Sequence, residues 1–231
     1  MRHLERLPKP RILAEKEAEW QEKYEEKLAL NPQARPDNSK YAHKEITDML
    51  NAMSYGKCFY CETKLSSDIQ EVDHFVELAI DHRKAYDWEN LYLACSNCNN
   101  KIDHRVIPVD SVLDPCSDSD EEIQRHITFV DELICAVDAS EKGLRTIKKY
   151  KLGTELLNMK RGKWLRNLMK DVIGIDMKMR QEGRTETTEE ERRYLRHFMS
   201  PDQPYSLMCE VFIKKNLASL IGMQKDVDNE I

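Results

Sequence analysis

The sequence predicts an α+β fold: a small cysteine-stapled core flanked by N- and C-terminal helices. Three observations point there. Two CxxC pairs, Cys58-Phe59-Tyr60-Cys61 and Cys95-Ser96-Asn97-Cys98, bracket a segment with room for only a small fold. Apolar residues recur at helical spacing on both sides of that segment. The chain has 7 glycines in 231 residues, which favours helix over tight backbone turns.

In chain order, Leu13, Trp20, Tyr24 and Leu28 recur among Glu and Lys and predict a helix over 11–30. Two prolines between Asn31 and Ser39 break it. Ile46, Met49, Leu50 and Met53 share one face of a second helix over 41–53, which delivers the chain to Gly56 and the first cysteine pair. Within the core, short strands are predicted at 70–76 and 90–94. The acidic, Ser-rich run Asp114 to Glu122 reads as a loop. Ile127, Phe129 and Val130 are β-formers and suggest a hairpin within 126–137. From there on helices are predicted over 142–150, 154–180, 187–199 and 205–220, the third opening on a capping box in Thr187-Thr188-Glu189-Glu190. The division is thus an N-terminal helical segment (1–55), a cysteine-bounded core (56–110) and a mainly helical C-terminal region (111–231).

Composition excludes several classes. The chain is 34% charged and 40% hydrophobic, polar for a globular protein yet too apolar to be wholly disordered. A net charge of -6 argues against an indiscriminate nucleic-acid coat but allows a local basic groove. No segment approaches the roughly 20 apolar residues of a membrane span. The N-terminus lacks the apolar core of a signal peptide. A cytoplasmic protein is therefore expected, with no membrane partner. There thiols stay reduced, and paired CxxC motifs point to metal or redox use rather than disulfides.

Zinc is the reading that fits. Two CxxC turns present four thiolates to one tetrahedral ion, Cys58, Cys61, Cys95 and Cys98. A redox motif needs only one CxxC and a βαβ context that is missing here. Bound zinc would also compensate for a meagre local core. The 33 residues between the pairs exceed the compact zinc-ribbon spacing of about 15–20. Something useful is inserted. Cys116, Cys135 and Cys209 lack partners at ligand spacing and read as buried small hydrophobes.

The insertion carries Asp73-His74 and Asn90, and Asn99 follows the last cysteine directly. His74 precedes Asn90 by 16 residues, and Asn90 precedes Asn99 by 9. With the runs EVDHF, WENLYLAC and CSNCNNK, this pattern resembles the HNH endonuclease family, whose fold is a small ββα-metal core. Phosphodiester hydrolysis suits these side chains. Imidazole, with an ordinary pKa of about 6.5, takes a proton from water. A divalent cation held by a carboxylate and an amide keeps positions open for phosphate oxygens. Neighbours on a strand point to opposite faces, so Asp73 and His74 need a kink or a strand end to serve one site.

The resemblance implies the roles. His74 is the general base; Asp73 and Asn99 hold a catalytic divalent metal, Mg²⁺ with Mn²⁺ as the alternative. Asn90 braces the loop behind His74, and Lys101 contacts phosphate. Glu77 departs from the family pattern, where a proline often follows the DH pair. A competing pair, Asp81-His82, lies only 8 residues before Asn90, too few for a strand-loop-strand path, and His82 reads as the start of a surface helix. The remaining histidines, 3, 43, 104, 126 and 197, read as surface or packing residues.

Beyond the core, MSYGKCFYCE, GLRTIKKYKLGTELLNMKRGKW and PYSLMCEVFIKKN resemble the HNH subunits of Septu-type and retron-associated anti-phage systems. That implies an ABC-type ATPase partner (PtuA-like), docked through the terminal helices, and a nucleic-acid substrate, DNA rather than RNA. The stretch 142–170 carries ten Lys/Arg against one Glu. Lys160, Arg161 and Lys163 are its candidates for tracking a phosphate backbone. The alternative to a nuclease is a non-catalytic zinc adaptor that binds nucleic acid or the ATPase.

Overall fold

The computed structural model describes residues 1–66 and 69–222. Helix α1 spans Arg11–Leu30, starting after Pro10 and ending at Asn31. Its buried residues are Leu13, Trp20 and Tyr24, one stripe at helical spacing, while the Glu and Lys between them pair along the outside. A single turn, α2 (Asn38–Tyr41), is capped by the Asp37 side chain. The expected second helix starts three residues later than the sequence suggests, as α3 (Lys44–Ser54). The His43 ring accepts from Glu45 N and fixes that start. At its end Tyr55 and Gly56 both take positive φ and turn the chain into the first cysteine pair.

Strands β1 (Gln70–His74) and β2 (Leu91–Cys95) form an antiparallel pair, with Asp73 opposite Tyr92 and His74 opposite Leu91. The one-turn helix α4 (Ser96–Asn99) follows β2 at once and completes a ββα unit. The acidic run is not all loop. Ser119 accepts from Glu122 N, and Asp120, Glu121 and Glu122 form the first turn of α5 (Asp120–His126). Carboxylates there meet the positive end of the helix dipole, which is why an acidic stretch could start a helix. The hairpin is β3 (Ile127–Val130) with β4 (Leu133–Ala136).

Helices α6 (Glu141–Lys149), α7 (Glu155–Gln181), α8 (Glu189–His197) and α9 (Ser206–Asn216) complete the chain. The capping box joins Thr188 to Glu191, so α8 opens one residue further on than the box as first read. One hydrophobic cluster runs through all three regions, from Leu13 and Trp20 through Phe59, Tyr60 and Trp88 to Leu168 and Ile213. No helix among the described residues is long and apolar enough to cross a membrane.

Two basic residues of the 142–170 stretch are inside this core. The Lys149 side chain is 0% exposed, with Nζ 2.7 Å from Glu77 Oε1 and donating to the Ile102 and Ile107 carbonyls. Glu77, which departs from the proline expected after the DH pair, thus ties the loop after β1 to α6. Breaking one partner of such a pair leaves a buried charge, so Lys149→Met should cost about 3–5 kcal/mol. Urea denaturation is expected to show that loss, with part of it recovered in the Glu77→Leu, Lys149→Met double variant.

Arg161 is the second, and it corrects the expectation of a nucleic-acid contact. Only 1% exposed, it donates to the Leu152 carbonyl and lies over the Phe129 ring at 5.4 Å. Burial holds its guanidinium below the ordinary range, against the pull of the nearby Cys61 sulfur. A group sealed in this way is a core residue and cannot track a phosphate backbone.

Candidate active site

The cysteines come together first. All four sulfurs lie within 4.8 Å of one another, the one such cluster of three or more His, Cys, Asp or Glu among the described residues. Zn–S bonds of about 2.3 Å in a tetrahedron set sulfurs about 3.8 Å apart. Cys61 and Cys95 Sγ are 3.7 Å apart, so the cluster fits a tetrahedral zinc ion. Cys58 and Cys61 lie on the turn after α3; Cys95 closes β2 and Cys98 lies in α4. The Thr63 hydroxyl lies 3.1 Å from Cys61 Sγ and supports it from outside the cage. The cage therefore clamps the turn after α3 to the junction of β2 and α4.

From that clamp one side chain reaches the other cluster. Tyr60, between the first two cysteines, is fully buried and donates to Asp73 Oδ2 at 2.6 Å. It stacks on Tyr150 at 4.0 Å between ring centroids, and Tyr92 continues the stack at 6.1 Å. Asp73 itself is buried, and its two oxygens lie 2.9 and 2.8 Å from Lys101 Nζ. The same ammonium donates to the His74 and Phe75 carbonyls.

His74 is the last residue of β1, so the strand end relieves the opposite-face constraint on the Asp-His pair. Its Nε2 lies 2.9 Å from the Ala85 carbonyl. A carbonyl can only accept, which puts the proton on Nε2 and leaves Nδ1 with a lone pair. The Tyr41 ring packs edge-on at 4.8 Å. Burial, the largest influence, holds the imidazole below its ordinary pKa, so it is neutral near pH 7 and able to accept a proton. Asn90 is buried behind it. Its amide accepts from Val76 N at 2.7 Å and donates to the Val76 and Lys84 carbonyls at 3.1 Å, while its own carbonyl accepts from Phe75 N. Both ends of the loop after His74 are thereby held. Asn99 ends α4 and donates its amide to Glu71, which leaves the amide oxygen for another partner.

Asp73, His74, Asn99 and Lys101 line one cleft of about 1030 Å³. The N-terminal segment lines it too, through Tyr24, Arg35 and Tyr41, as do Glu77 and His82. Arg35 is exposed and has no ion pair among the described residues. Neither Lys160 nor Lys163 lines this cleft; both are exposed on α7. His82 opens a short helical turn capped by Asp81; its side chain lines the same cleft but makes no hydrogen bond to Asp73, His74, Asn99 or Lys101 among the described residues. Of the three unpaired cysteines, Cys209 is buried, whereas Cys116 and Cys135 are only partly so. Burial pushes the Cys116 and Cys209 thiols up to about 12, which makes them inert.

Sequence reasoning missed three of these contacts. Tyr60 and Tyr41 carry no motif, and nothing in the sequence indicates that the Lys101 side chain is 7% exposed and seated on Asp73. Only the position of Tyr60 inside a CxxC could have signalled that the cage and the Asp73 cluster are joined.

Comparison with known proteins agrees with this geometry. Residues 58–105 match the family model of the HNH endonuclease. Septu protein PtuB of Bacillus mycoides (strain KBAB4) is 26% identical over 53% of this chain and 52% of its own length. Septu protein PtuB of Bacillus thuringiensis is 28% identical over 52% of this chain and 44% of its own. The chain thus matches about half the length of these curated relatives or less. The matched span holds both cysteine pairs and the ββα unit, so the chain carries an HNH domain at 58–105 and is similar to the Septu PtuB proteins over about half its length.

Proposed function

We propose that the chain is a metal-dependent HNH endonuclease that hydrolyses phosphodiester bonds, with phage DNA as its substrate and an ABC-type ATPase as its partner in defence. The carrying observation is the state of His74. Its Nε2 proton is fixed on the Ala85 carbonyl, and its Nδ1 is free at a cleft shared with Asp73 and Asn99. That is the tautomer of a general base. His74 takes the proton of the attacking water, and Asn90 keeps the loop behind it from yielding. Asp73 and the Asn99 amide oxygen supply a hard-oxygen donor pair, suited to Mg²⁺ or Mn²⁺. Such an ion, when bound, offsets the charge that develops on the phosphate.

Arg35 supports a polyanionic substrate. It lines the same cleft as the Asp73 cluster and has no ion pair among the described residues. Arg35→Ala should weaken substrate binding by about 1.5–3 kcal/mol, the worth of a charge-assisted hydrogen bond, and lower the salt dependence of binding by about one ion. Fluorescence anisotropy across a salt series measures both.

The partner reading rests on α7. Leu156, Met159, Ile173 and Met177 are exposed along it, and Lys163, Arg166 and Lys170 lie between them on the same side by helical spacing. An apolar face with a basic centre suits a protein surface that carries acids opposite that centre. Lys163 accordingly belongs to docking as readily as to nucleic acid.

The test is cleavage by zinc-loaded protein, alone and co-purified with the neighbouring ATPase, on duplex DNA, single-stranded DNA and RNA. Cleavage of DNA that stops with mild chelation and returns with Mg²⁺ is expected. No cleavage of any substrate with Mg²⁺, Mn²⁺ and the partner present would leave the zinc-adaptor reading instead.

A further inference from the structure

Lys101 is the one cation already inside the Asp73 cluster, and its surroundings are unusual for a lysine. Four oxygens converge on its Nζ: both carboxylate oxygens of Asp73 and the backbone carbonyls of His74 and Phe75. The side chain is 7% exposed and that of Asp73 is 5% exposed. An all-oxygen cradle with one carboxylate is what a hard divalent cation also takes. Both cations cannot occupy it, because like charges at contact distance repel strongly away from bulk water.

We infer that Lys101 is a built-in cation that guards Asp73, and that a divalent ion gains this carboxylate only by displacing the Lys101 ammonium into the cleft. This rests on the reading of Asp73 as a metal ligand. The surroundings permit the exchange. Tyr60 donates to Asp73 Oδ2 independently of Lys101, so the carboxylate stays anchored when the ammonium leaves. Lys101 follows the C-terminus of α4 by two residues and lines the open cleft, so rotation of its side chain is enough to free it. Once released, the ammonium faces the space in which a substrate phosphate would lie, and this gives Lys101 a phosphate-binding role after metal entry rather than before it. Guarding also has a structural use. A buried carboxylate without a cation is costly, and Lys101 supplies one whenever no metal is bound.

The test measures Mn²⁺ binding and lysine accessibility, not cleavage. Removing a resident competitor raises apparent affinity by the inverse of the fraction of sites that were open. Calorimetric titration of zinc-loaded protein with Mn²⁺ should therefore show Lys101→Met binding at least about tenfold tighter than wild type. The rise in melting temperature on adding Mn²⁺ should also be larger in Lys101→Met, since the variant leaves Asp73 unpaired until the ion arrives. Wild-type protein gives a second readout that does not depend on the variant folding. Acylation of Lys101 by an amine-reactive ester, mapped by mass spectrometry, should be slow without Mn²⁺ and accelerate with it. In Asp73→Asn the same lysine should react fast with or without the ion. Equal or weaker Mn²⁺ binding by Lys101→Met, or Lys101 acylation indifferent to Mn²⁺ in wild type, would overturn the guard. A different result would remove the reading beneath it: Mn²⁺ binding unchanged by Asp73→Asn, which takes Asp73 out of the metal site altogether.

Discussion

Cys98→Ser should abolish the cooperative fold of residues 56–110, the largest effect expected of any single substitution here. Zinc binding to a four-cysteine site contributes roughly 10–16 kcal/mol of apparent folding free energy near pH 7. The segment's own secondary structure is slight, although its side chains join the common core. The β1–β2 pair is only five residues long on each side, and α4 is a single turn. Without the cage the turn bearing Cys58 and Cys61 loses its tie to the end of β2. Tyr60 is then no longer held against Asp73. The expected result is loss of stoichiometric zinc by elemental analysis, together with loss of amide protection across both strands in hydrogen exchange. Strong chelation of the wild type should give the same pattern, reversed by zinc.

His74→Ala acts on chemistry rather than on fold. The ring is half-buried and makes one hydrogen bond, to the Ala85 carbonyl, plus the Tyr41 contact. Losing these should cost about 1–2 kcal/mol of stability, an ordinary value for a partly buried side chain. The expected loss in cleavage is larger, about 10²–10⁴-fold, the usual worth of a positioned general base. Zinc content is expected to stay whole, because none of the four sulfurs touches this ring. The contrast is diagnostic: Cys98→Ser loses structure and activity together, His74→Ala activity alone.

Much of the candidate site was legible in the sequence, for a physical reason. Metal ligands and catalytic groups are few residue types at fixed spacing, and a 33-residue gap between cysteine pairs, with Asp73-His74 inside it, leaves few arrangements. Helix α1 was equally legible, because Pro10 and Asn31-Pro32 punctuate a clean apolar stripe. What could not be read were contacts between distant elements. Charge patterning treats every lysine of 142–170 alike, yet Lys149 and Arg161 are sealed in the core while Lys160 and Lys163 face solvent. The difference lies in which carbonyls and acids the fold brings to each, and Glu77 lies 72 residues from Lys149 in the chain. The wall of the cleft was hidden for the same reason. Tyr41 and Arg35 precede the cysteines, and only the packing of the N-terminal segment on the ββα unit brings them to the cleft that His74 lines.

Lys101 shows how a residue can be found in sequence and still be misplaced. Its position after Cys98 suggested a phosphate contact, whereas the structure seats it on Asp73. Both placements belong to one side chain if it leaves Asp73 when a divalent ion enters.

The most direct test of the account is single-turnover cleavage of duplex DNA by wild-type and His74→Ala protein, matched for zinc content and melting temperature, with Mg²⁺ and the ATPase partner present. Wild type is expected to cut and the variant to be slower by at least about 100-fold. Equal rates in two folded, zinc-loaded proteins would contradict it.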